Sequence, residues 1–299
     1  MLHREDVEVP GIAARELAAF NDEYSRLPHP ELTPESLRND YWPMAVDVPG
    51  RGIAKSATIG GVSCRVVRPA SPRGVYLHLH GGGFMLGSAA RQDRQHEGIA
   101  HKLGVAVVSV DYRLTPEHPY PAGLDDAVAV ATALLHDPDF EGLPFLIGGE
   151  SAGASLSVGT LLGLRDAGAP VDRFVGANLV YGCYSLSPLP SREAWGDRFL
   201  VLSRRLLQYW HEEYGADPSD PIASPLHADV SGLPPALFTV GTEDPLRDDS
   251  ELMAAHWSEA GNEATLMVWE GAPHAFDAFP LAVGGIVRRR LSDWMGSRL

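Results

Sequence analysis

Short apolar runs alternate with helical stretches along most of this chain, and that rhythm limits the folds open to it. Val75–His80 reads as a strand, 92–103 as a helix, Val105–Val110 as a strand and 123–136 as a helix. Phe145–Gly148 is a strand that enters a turn at Ser151, with a helix from about 152 to 165. Further strands are expected at Phe174–Tyr181, Ala236–Gly241 and Ala264–Trp269, with helices at 248–260 and 283–298. Residues 55–69 read as a hairpin turned at Gly60-Gly61. Apolar strands separated by helices imply a mostly parallel central sheet with helices on both faces, an α/β class fold of the doubly wound kind.

Two segments depart from the rhythm. In residues 1–50, Leu17, Phe20, Tyr24 and Leu27 fall at helical spacing before Pro28, Pro30 and Pro34 break the pattern. Between about 184 and 226 no strand is expected, only a helix whose stripe is Phe199, Leu202, Leu206, Trp210 and Tyr214. An insertion after a sheet strand suits a helical cap controlling access to a site, against the plainer reading of an ordinary covering helix. The expected organisation is a core of 51–183 and 227–299, a cap insertion at 184–226, and an N-terminal segment 1–50 joining that cap.

Two short motifs give the core its chemistry. Gly149-Glu150-Ser151-Ala152-Gly153 puts a serine on a tight strand-to-helix turn, and His80-Gly81-Gly82-Gly83-Phe84 precedes it. The first pattern should arise by chance about 0.2 times in such a chain and the second about 0.01 times, so their joint presence in order is informative. A serine hydroxyl needs a base to take its proton and a carboxylate to orient that base. On such folds these follow in the order Ser, then Asp or Glu, then His. Of twelve histidines, only His256 and His274 lie beyond the candidate acids at 242–249. His256 sits mid-helix, whereas His274 follows the last strand, where catalytic groups gather. Asp244 and Glu243 both stand at the end of the 236–241 strand; spacing favours Asp244, with Glu243 as the alternative. Asp248 and Asp249 suit the start of the next helix. Backbone N–H groups of the glycine loop and of Ala152 could hold an oxyanion.

Composition removes other classes. A net charge of −15 argues against nucleic acid or an anionic membrane as partner. No apolar run approaches a membrane span, so stable insertion is not expected, and Met1-Leu2-His3-Arg4-Glu5-Asp6 is too polar for a secretory signal. Cys64 and Cys183 are single and far apart, which fits a reducing cytoplasm and gives no metal spacing.

Taken with their surroundings, these motifs resemble the hormone-sensitive-lipase-like family of α/β-hydrolase esterases, the bacterial members in particular. The likeness includes Asp111-Tyr112-Arg113-Leu114-Thr115-Pro116-Glu117-His118-Pro119, Leu233-Pro234-Pro235-Ala236, Asp244-Pro245-Leu246-Arg247-Asp248 and His274-Ala275-Phe276. The resemblance implies an α/β-hydrolase fold, Ser151 as nucleophile, Asp244 as acid, His274 as base, and Gly82, Gly83 and Ala152 as oxyanion donors. It implies hydrolysis of a small ester by water, with no cofactor and no metal, and family members are often homodimers; a capped site favours short- to medium-chain acyl esters over aggregated lipid. An amidase or deacetylase on the same triad, and a non-catalytic small-molecule receptor, are the alternatives. Departures are Ala275 after the histidine, Glu150 before the serine and Ala154 where a second glycine is usual. Met85, Leu86, Tyr184 and Phe276 adjoin the motifs and are candidate pocket residues, with core packing an equal account. The Asp111-Tyr112-Arg113 segment is expected to brace the glycine loop.

Overall fold

The computed structural model describes residues 1–40 and 50–299. Its strands are β1 (Leu2–Val7), β2 (Lys55–Ile59), β3 (Val62–Val67), β4 (Val75–Leu79), β5 (Ala106–Val110), β6 (Phe145–Glu150), β7 (Phe174–Val180), β8 (Ala236–Glu243) and β9 (Ala264–Pro273). They form one sheet in the order β1-β9-β8-β7-β6-β4-β5-β3-β2. The β2–β3 and β3–β5 pairs are antiparallel and the rest are parallel. The chain is therefore an α/β fold with a mostly parallel sheet, as its apolar runs require. Every residue of β4 and β5 is buried, which accounts for strands lacking an exposed polar face.

The α-helices are α1 (Gly11–Tyr24), α2 (Pro34–Asp40), α3 (Asp93–Leu103), α4 (Ala122–Leu135), α5 (Ala152–Asp166), α6 (Pro190–Ala194), α7 (Arg204–Tyr214), α8 (Arg247–Glu259) and α9 (Ala282–Gly296). Helices α3 and α9 pack against each other on one face, while α4 and α5 pair on the other. The order reverses at β4, which lies between β5 and β6. A crevice opens at the carboxyl ends of strands where the order reverses. Both sequence motifs emerge there, the glycines after β4 and Ser151 after β6.

Several elements differ from expectation. Leu2–Val7 is a sheet-edge strand, parallel to β9, rather than part of a covering segment. Its side chains are mostly half-buried or exposed, so it carries no apolar signal. Residues 41–49 of the N-terminal segment lie outside the described residues. In the 184–226 stretch, Phe199 and Leu202 precede the helix rather than share its stripe. Leu200 and Leu202 exchange backbone hydrogen bonds, and Ser203 then caps α7 by accepting from Leu206 N at 3.2 Å. No helix among the described residues is long and apolar enough to cross a membrane.

Candidate active site

Ser151 occupies the junction of β6 and α5 with φ 54 and ψ −121, a conformation that side chains rarely adopt. Its N–H donates to the Val180 carbonyl at 2.9 Å, tying the turn to the neighbouring strand. The flanking glycines are dictated by space, because a Cβ on Gly149 or Gly153 would strike the Leu79 carbonyl oxygen. The serine is thereby lifted clear of the sheet.

His274 follows β9 and directs Nε2 to Ser151 Oγ at 3.0 Å. Its Nδ1 lies 2.8 Å from Asp244 Oδ2. A carboxylate can only accept, so Nδ1–H donates and Nε2 is left to accept from the serine hydroxyl. Asp244 is held in turn by Leu246 N at 2.8 Å, and both Asp244 and His274 are buried. Glu243, left open by spacing alone, instead faces Arg198 at 2.6 Å and is partly exposed. His256 bonds the Ala228 carbonyl from α8. The structure therefore brings Ser151, His274 and Asp244 together and leaves the other candidates outside.

The glycine loop follows β4 beside this row. The N–H groups of Met85 and Leu86 donate to the Gly82 carbonyl at 3.1 and 2.8 Å, which closes a tight turn. A Cβ on Gly83 would run into the Trp210 ring. Among the described residues, the N–H groups of Gly82, Gly83 and Ala152 have no protein acceptor. The Asp111-Tyr112-Arg113 segment does brace this region. Asp111 accepts from Ala89 N at 2.7 Å, Tyr112 donates to the His80 carbonyl at 2.7 Å, and Arg113 pairs with Asp126 at 2.8 Å.

A cavity of about 660 Å³ opens on Ser151 and His274, with Gly82, Gly83, Trp210 and Phe279 in its wall. The four candidate pocket residues are not in that wall. Met85, Leu86, Tyr184 and Phe276 are buried in the hydrophobic core. The sharp turns beside the motifs send neighbouring residues to opposite sides, so adjacency in sequence misleads; Phe276, for example, packs on Trp269 and Tyr181.

Residues 76–278 match the family model described as alpha/beta hydrolase fold. The chain belongs to the α/β hydrolase fold family. It is 35% identical over 230 residues, 73% of its length, to the acetyl-hydrolase of Streptomyces hygroscopicus, of which 74% is covered. It is 34% identical to the carboxylic ester hydrolase LipN of Mycobacterium tuberculosis, matching 73% of this chain and 61% of that one. The Pyrobaculum calidifontis esterase superposes with a TM-score of 0.83 at 30% identity, covering 93% of this chain and 97% of the other. A hormone-sensitive lipase from a metagenome library superposes with a TM-score of 0.84 at 27% identity, covering 96% and 98%. Within the α/β hydrolases, this chain stands with the hormone-sensitive-lipase-like group.

Two neighbours of this α/β hydrolase's site were not foreseen. Tyr181 packs its ring 4.6 Å from that of His274 and donates to Asp277 Oδ1 at 2.6 Å. Both line the cavity. Nothing in their local sequence marked them, because their partnership joins residues far apart in the chain. Asp249 also proves to be more than a helix-start charge. It is fully buried, accepts from Tyr184 N and Ser185 N, and pairs with Arg192 at 3.2 Å.

Proposed function

We propose that this α/β hydrolase is a serine carboxylesterase that cleaves short- to medium-chain acyl esters through an acyl-enzyme. The observation that carries the reading is the continuous hydrogen-bonded row from Ser151 through His274 to Asp244, opening on a cavity. His274 Nε2 takes the Ser151 proton as Oγ bonds to the ester carbonyl carbon. The carbonyl π electrons move to its oxygen, and that oxyanion is met by the N–H groups of Gly82, Gly83 and Ala152. The intermediate collapses, the C–O bond to the alcohol breaks, and His274 returns its proton to the leaving oxygen. Water then repeats the sequence on the acyl-enzyme, His274 again taking a proton and returning it to Ser151. Asp244 keeps the ring in the required tautomer and stabilises the imidazolium.

Helices α2 and α7 serve as the cap in this reading. Arg38 of α2 donates to the Met85 and Thr115 carbonyls at 3.3 and 2.8 Å, and Trp210 of α7 leans on Gly83. The names of the relatives, acetyl-hydrolase and carboxylic ester hydrolase among them, agree with an ester substrate. Replacing Ser151 with Ala should lower kcat on p-nitrophenyl butyrate by about 10⁴–10⁶-fold while the melting temperature holds. Parental turnover by that variant would sink the assignment.

A further inference from the structure

Strand β4 alternates along its length. Val75, Leu77 and Leu79 belong to one large apolar cluster, whereas Tyr76, His78 and, just beyond the strand, His80 point the other way. Register extends that second face sideways, aligning His78 with Ser109 of β5 and Gly148 of β6, and Gly148 with Asn178 of β7. A sheet face lying under helices is normally apolar. Here, under α3 and α9, its carboxyl end carries a polar row that closes in over Gly148, where a Cβ would strike the Asn178 carbonyl oxygen and press on the Tyr76 hydroxyl. The cavity at Ser151 continues over this row, lined by Tyr76, His78, Gln92, His96, Glu150 and Asn178.

We propose that this lobe receives a neutral, hydroxyl-bearing part of the ester, so that the enzyme prefers hydroxylated esters to alkyl ones; the proposal rests on the esterase reading above. Most groups in the lobe satisfy one another. His78 lies 2.9 Å from Ser109 Oγ and 3.0 Å from Glu150, and Gln92 Nε2 donates to the same carboxylate at 3.1 Å. Two acceptors are left over. Asn178 Oδ1, on a residue only 4% exposed, and Gln92 Oε1 have no hydrogen-bond partner among the described residues. An alkyl chain in the lobe would leave both unpaired, whereas a hydroxyl group donates to them.

The surrounding charges favour a neutral donor. Burial pushes His80 down to about 4 and His96 well below its ordinary value, so both rings are neutral at pH 7. Glu150 is opposed by burial, but His78 and Gln92 outweigh this and hold it below the usual carboxylate range, adding an acceptor. Exposed cations, Arg91, Arg94, Lys102, Arg288 and Arg289, line the mouth of the cavity. These cations oppose a positive group and the Glu150 carboxylate opposes a negative one, whereas a neutral hydroxyl meets no like charge in the lobe.

The test uses two matched substrate pairs: propyl acetate against glycerol monoacetate, and p-nitrophenyl butyrate against its 3-hydroxybutyrate analogue. The hydroxylated member of at least one pair should show about tenfold higher kcat/KM, and the responding pair tells whether alcohol or acyl group enters the lobe. Asn178→Leu and Gln92→Met should each reduce that preference by about tenfold. Gln92 is half-buried in the turn before α3, so its variant keeps the test decisive if Asn178→Leu fails to fold, as read by thermal melting. No preference in either pair, or a preference surviving in every folded variant, overturns the lobe. Hydrolysis of p-nitrophenyl acetate by the parent separates the two readings. If it is absent, the esterase assignment fails; if it is present without a preference, only the lobe does.

Discussion

The strand ends around Ser151 and the helices standing over them are held by different kinds of contact. At the strand ends backbone meets backbone: Gly149 and Gly153 pass against the Leu79 carbonyl, and Ser151 hangs from Val180 in a strained turn. Above them side chains make the contacts. Tyr214 stacks on Phe84 with centroids 3.9 Å apart, Tyr24 meets Phe199 at 5.6 Å, and Trp210 rests on Gly83. Backbone contacts admit no change of size, whereas side-chain contacts can be traded for others. In the esterase reading, the reacting row is held by the part that cannot vary, and chain length is left to the part that can.

This contrast can be broken by measurement. The largest effect is expected for Asp244→Asn, which keeps the shape but leaves His274 in the wrong tautomer; kcat should fall about 10³–10⁴-fold in steady-state assays. Near-parental turnover would mean that His274 does not depend on Asp244. Next, Gly153→Ala should cost at least about 3 kcal/mol in urea unfolding, despite a helix-propensity gain of about 1 kcal/mol. A stabilised variant would refute the backbone argument.

Acid should weaken both regions. Burial lowers His80, at the strand ends, to about 4, and His211, on α7, to about 3, with Arg192 adding to the effect on His211. Each ring stays neutral when folded but takes a proton near its ordinary value of 6.5 once unfolded. Stability present above pH 6.5 is therefore lost as pH falls toward those lowered values, by roughly 3 kcal/mol for His80. A melting temperature that stays flat from pH 7 to 5 contradicts this, and His211→Gln should shallow the slope. The smallest effect is expected from Trp210→Ala. Opening the side-chain layer should shift the preferred chain length upward in a p-nitrophenyl series from acetate to laurate, by about tenfold in relative kcat/KM. An unchanged profile would remove α7 from substrate selection.

Much of this molecule was legible in its sequence for the same reason. Strands such as β4 to β7 announce themselves because both faces are buried. Strand β1 was silent, since Leu2–Val7 pairs only with β9 and exposes polar side chains. Spacing favoured Asp244 without excluding Glu243, and the irregular pairing between β8 and β9 near Gly241 turns the first inward and the second to Arg198. Pocket residues were unreadable because much of the wall is assembled from α3, α7, α9, the loop after β9 and the sheet face, while Met85, Leu86 and Phe276 beside the motifs turn into the core. The polar row was missed, because Val75–His80 read only as one more apolar strand and the row emerges from the register of four strands.

The central claim is that the row of three side chains activates Ser151. Incubating the parent protein with a fluorophosphonate and mapping the adduct by peptide mass spectrometry tests it most directly. The account predicts one adduct per chain, on Ser151, abolished in His274→Ala. A parent that stays unlabelled, or that is labelled at another residue, would contradict it.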